Sequence, residues 1–104
     1  MTKEEKAYSD TGEAMKGAEA SQMFGKPCYK VNGKAFLCFF EKAAVFKLTG
    51  KEHEFAIGLK GSVLFDPSGK GRPMKEWMQV TFQHQKEWPG LAKAAAKYVA
   101  ASPK

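Results

Sequence analysis

The chain has 104 residues, enough for one domain and too few for two. It is 43% hydrophobic and 27% charged, which excludes a disordered polyelectrolyte, and no apolar run approaches the ~18 residues of a membrane-spanning helix. Seventeen basic against eleven acidic residues leave +6, but only Arg72 is arginine, so the excess is lysine spread along the chain. That pattern reads first as a solvated basic surface and second as an anion-binding face, because bidentate phosphate capture and base reading favour arginine.

Residues 1–12 are polar and read as a mobile lead-in to a single domain over 13–101. Met1 to Lys6 lacks the apolar stretch of a secretory leader, so the expectation is a cytoplasmic chain. Asp10 and Glu13 have capping-box spacing and predict a short helix near 11–22, with a thin stripe of Ala14, Met15, Ala18 and Met23.

Two apolar runs, Pro27 to Val31 and Ala35 to Phe40, flank Asn32-Gly33. Asn-Gly between such runs predicts a two-residue hairpin, because a type I′ turn needs positive φ at both central positions. That register pairs Val31 with Lys34, Tyr29 with Phe36 and Cys28 with Leu37. Cys28 and Cys38 then point to opposite faces and stay thiols. A three-residue loop would set the two cysteines opposite one another. Lys26 and Lys30 share parity with Cys28 and project from one face.

Ala44 to Leu48 predicts a third strand after a tight Glu41-Lys42 turn. Thr49 is placed to cap a short helix that ends at Gly58. Val63 to Phe65 reads as a short strand, Asp66 to Pro73 as turn chemistry, and Glu76 to Val80 as the last strand. Pro89 suits a helix start, and Leu91, Ala94, Ala95, Tyr98 and Val99 form its apolar stripe with Lys93 and Lys97 facing water. The order is α-βββ-α-ββ-α: an α+β fold with about five antiparallel strands and helices on one side.

No set of residues reads as catalytic. Cys28 and Cys38 sit in apolar strands, where cysteine acts as a small hydrophobe. His53 and His84 read as surface residues. Two cysteines without CxxC or HxxxH spacing do not make a zinc site, so neither a metal nor another cofactor is expected. Ser68-Gly-Lys-Gly71 lacks the spacing of a phosphate-binding loop. The densest cationic patch is Lys70, Arg72 and Lys75; with Lys26 and Lys30 it is the candidate surface for an anion or a partner. A lysine strip beside aromatics would suit single-stranded nucleic acid, but Phe36, Phe39, Phe40 and Phe46 are more simply core. Trp77 and Trp88 are expected to pin the final strand and helix together.

Three groups of letters carry a resemblance: Met23-Phe-Gly25; Tyr29-x-Val31-x-Gly33-Lys34-x-Phe36; and Gly71-x-Pro73-Met74-x-x-Trp77. Over about residues 23–101 the chain resembles the TfoX N-terminal domain family, and in layout the MmcQ/YjbR family, whose opening strand Gly25-Lys-Pro27 also fits. The resemblance implies an α+β fold with a curved antiparallel sheet, a link to regulators of bacterial competence, and action through other proteins without catalytic residues. The expected function is therefore a non-enzymatic regulatory or protein-interaction module. The alternative is a nucleic-acid-binding accessory domain using Lys70, Arg72 and Lys75. The expected partner is another protein, and no membrane is involved.

Overall fold

The computed structural model describes residues 2–23, 25–66 and 74–101. They form an α+β fold. Helix α1 (Lys3–Glu13) leads into strands β1 (Glu19–Met23), β2 (Lys26–Val31), β3 (Lys34–Phe40) and β4 (Ala43–Lys47). Helix α2 (Gly50–Ile57), strands β5 (Val63–Phe65) and β6 (Met74–Val80), a short 3-10 helix at Phe82–Glu87 and helix α3 (Trp88–Ala101) complete the chain. The sheet is antiparallel with strand order β1-β2-β3-β4-β6-β5.

The predicted order is right except at the N-terminal end. Residues 3–13 are helical, not a mobile lead-in, and the helix predicted near 11–22 is the end of α1 followed by β1. The operative capping box is Thr2 with Glu5: the Glu5 amide donates to Thr2 Oγ1 at 3.0 Å, and the Glu5 carboxylate accepts from the Thr2 amide. Ala14 closes the helix instead of running inside one. Strand β1, Glu-Ala-Ser-Gln-Met, is a polar edge strand and makes the sixth strand where about five were expected.

The three helices cover one face of the sheet. Tyr8 of α1, Ala56 of α2, and Trp88, Leu91, Ala92, Ala95 and Val99 of α3 pack on Tyr29, Phe36, Leu37, Phe46, Met78 and Val80. Burial of these apolar side chains is the main stabilising term. A smaller cluster lies on the opposite face: Cys28, Cys38, Val45, Phe65 and Trp77, with Ala35 and Phe40 packed against it. Trp77 and Trp88 therefore serve different clusters and do not pin one strand to one helix. Phe36 and Phe46 are core as expected, while Phe39 is packed against the helix side and Phe40 against the other.

The Asn32-Gly33 turn forms as predicted, with φ of 52° and 78° and Val31 opposite Lys34. The register beyond it does not. Lys30 faces Ala35, but Tyr29 faces Leu37 and Cys28 faces Cys38. Phe36 is the extra residue of a β-bulge. It lets two consecutive large side chains, Phe36 and Leu37, both enter the helix-side core at 0% exposure. Regular alternation would send one of them outward. The expectation that the two cysteines lie on opposite faces is therefore corrected, although the two-residue turn behind it is right.

Candidate functional site

Of the five lysine and arginine positions singled out above, Lys70 and Arg72 lie outside the described residues. Lys75 lies in β6, at a position whose side chain is likewise outside the description. Lys26 and Lys30 are on the sheet face away from the helices, beside Cys28, as their parity predicts. The Lys26 ammonium stands 5.1 Å from the centroid of the Phe40 ring, and Lys47 stands 5.9 Å from that of Trp77. Their stems thus cover aromatic rings. Trp77 and Phe65 are buried there, at 6% and 1% exposure, so neither offers a free face for base stacking.

Across the middle of this outer face runs one cross-strand row: Ser21, Cys28, Cys38, Val45, Gln79 and Val63, one residue from each strand. Cys28 and Cys38 are thiols, each 1% exposed, and face one another across β2 and β3. Burial pushes both thiols up from the ordinary value, Cys38 further than Cys28. Cys28 is held back by the Lys30 ammonium and by hydrogen bonds to Cys38 and Ser21. On the helix side, burial pushes the Tyr8 hydroxyl up, and the Cys38 and Cys28 thiols act in the same direction. That hydroxyl has no hydrogen-bond partner among the described residues.

His84 Nε2 lies 2.8 Å from the Lys60 carbonyl oxygen, to which Gln83 Nε2 also donates at 2.6 Å. Together they tie the 3-10 helix to the turn after α2. His53 is half-buried on α2. Among the described residues no three His, Cys, Asp or Glu side chains come close enough to hold a metal ion.

The second candidate is a groove that sequence reasoning missed, between α2 and α3. Phe55, Leu91 and Gly90 line one end with Lys51, Glu52 and Glu87. Ala94 and Tyr98, with Lys93 and Lys97, line the other. The Tyr98 hydroxyl donates to Glu76 Oε2 at 2.5 Å and braces α3 against β6. Phe55 is 50% exposed, and Ile57 and Val63 are exposed to a similar degree. Phe55 and Ile57 flank the buried Ala56 on this two-turn helix, so both are left at its surface. Thr49 stands at the N-cap as predicted, but its side chain makes no capping hydrogen bond.

No family model matches the chain, and neither a curated protein nor a solved structure is significantly similar to it. No helix among the described residues is long and apolar enough to cross a membrane.

Proposed function

We propose that this chain is a cytoplasmic, non-enzymatic regulatory or protein-interaction module, resembling the TfoX N-terminal domain, that holds a protein segment in the α2–α3 groove. The observation that carries the reading is Phe55. Phe55 is half-exposed at the lip of a groove floored by Leu91 and Ala94, so its ring is available to an apolar side chain seated there. Lys51, Lys93 and Lys97 outnumber Glu52 and Glu87 on the rim, so a segment with an apolar anchor and acidic flanks is the matching occupant. A photoreactive phenylalanine analogue at position 55 tests this in cells. A discrete protein adduct at 55, absent with the same analogue at Asn32 on the distant hairpin tip, is the expected result. Equal adducts at both positions, or none, overturn it.

A nucleic-acid-binding role is the second reading, favoured by Lys26, Lys30 and Lys47 on one sheet face. It predicts affinity for labelled single- or double-stranded DNA that persists near physiological salt and falls when these three lysines are neutralised. Binding seen only at low salt leaves the charge as a solubility feature.

A further inference from the structure

We propose that Cys28 and Cys38 are an oxidation site that closes to an intramolecular cross-strand disulfide when a hydroperoxide reaches it. The bulge at Phe36 makes the two residues direct partners on adjacent antiparallel strands. Such partners have Cα atoms about 4.5–5.5 Å apart, within the range a disulfide spans without moving the backbone. No other cysteine exists in the chain to compete.

The surroundings of the two sulfurs set their roles. Cys28 has the Lys30 ammonium on its own strand face and the Ser21 hydroxyl across β1, and both favour its thiolate. Cys38 lies one strand further in, between Cys28 and Val45, and has no such support. Cys28 is therefore the attacking thiol and Cys38 the resolving one. Cys28 loses its proton, and its sulfur attacks one oxygen of hydrogen peroxide. The O–O bond breaks, one water leaves, and Cys28 becomes a sulfenic acid. The Cys38 sulfur then attacks the Cys28 sulfur. The S–O bond breaks, and the departing hydroxide takes the Cys38 proton as a second water. Two electrons pass from the pair of sulfurs to the peroxide, and a dithiol reductant returns them.

Burial makes this a slow site. Both thiols are 1% exposed, so the oxidant reaches them only through a local opening of the structure. Oxidation then staples the hairpin in its bulged register.

The test exposes the reduced protein to hydrogen peroxide, with and without urea just below the unfolding transition. Thiols are then alkylated in denaturant and the intact mass is read. The expected product is a monomer lighter by two hydrogens that takes up no alkylating reagent. Urea accelerates its formation, dithiothreitol reverses it, and its melting temperature is about 5 °C or more above that of the reduced form. Cys38→Ser strands the sulfenic acid on Cys28, where dimedone labels it, whereas Cys28→Ser leaves Cys38 largely unlabelled. If the serine variants do not fold, the wild-type mass decides alone. Two thiols still alkylated after peroxide in urea overturn the proposal, as do a disulfide-linked dimer or successive oxygen additions on either sulfur.

Discussion

Gly12 of α1 lies flat against the phenol ring of Tyr29 on β2, so close that a Cβ at position 12 would overlap three of its ring carbons. The ring has nowhere to retreat. It is 5% exposed, stacked at a tilt on Tyr8 with centroids 5.4 Å apart, and its hydroxyl donates to Glu13 Oε2 at 2.8 Å. The contact seats α1 on the sheet and explains why the N-terminal residues are part of the fold.

Gly12→Ala is therefore expected to destabilise the protein by about 1–3 kcal/mol, the usual cost of overpacking a closed site. An ordinary helix glycine would give the opposite sign, a gain of up to about 1 kcal/mol. Urea denaturation measures the difference, and a stabilised variant would show that α1 shifts freely on Tyr29.

The β3–β4 turn offers a stabilising change. Glu41 and Lys42 both have positive φ, 48° and 65°, which costs a non-glycine residue roughly 1–2 kcal/mol. Lys42→Gly removes that strain and adds about 0.5–1 kcal/mol of unfolded-chain entropy. The strain is the larger quantity, so the midpoint of unfolding should rise slightly. Gly33→Ala, at φ of 78° in the equivalent turn, should lower it.

Stability should fall at alkaline pH, and the sign follows from the buried thiols. Unfolded cysteines ionise near their ordinary value of 9.0, while the folded pair, pushed up by burial, keeps its protons. Above that value the unfolded state releases protons that the folded state retains, so each step up in pH favours unfolding. Below it neither state titrates there. Between pH 8 and 10.5 the reduced wild type should lose more stability than a Cys28→Ala/Cys38→Ala variant. Parallel urea-midpoint profiles would rule out the pair as the source.

Phe55→Ser should leave the melting transition almost unchanged, within about 0.5 kcal/mol, because the side chain is half in water already. The same change should remove the cell adducts trapped from a neighbouring photoreactive position such as Ala94. A large loss of stability would mean that Phe55 serves the core and not a partner.

Much of this fold is written locally. The turn at Asn32-Gly33, the short strand Val63–Phe65 and the helix between Thr49 and Gly58 are each specified by a few neighbouring residues, and each is where those residues put it. In α3 the stripe holds for Leu91, Ala95 and Val99, but Ala92 joins them in the core while Ala94 and Tyr98 line the groove. The misreadings have physical causes. Helix α1 buries small and hydroxyl-bearing positions, Thr11 and Gly12 beside Tyr8, so it shows no conventional apolar stripe. Two capping-box spacings lie eight residues apart, and the one used, Thr2 with Glu5, has the threonine that the motif favours. Strand β1 is an edge and has no need of alternating apolar residues. The bulge at Phe36 answers to the demand of the core for two adjacent large side chains, a tertiary requirement that a turn sequence does not encode. For the candidate sites, the lysine parity was legible, whereas the groove required knowing that α2 and α3 lie side by side.

Strand β6 enters the sheet between β4 and β5, so the last strand made is an interior one. During synthesis, β1 to β4 can zip up in sequence as a meander. Their helix-side row of Tyr29, Leu37 and Phe46 nevertheless stays wet until α3, some fifty residues beyond β4 at its far end, has left the ribosome. The nascent chain thus carries a sticky half-sheet with two open edges for the whole of that interval, and chaperone demand should be set by the second half of translation.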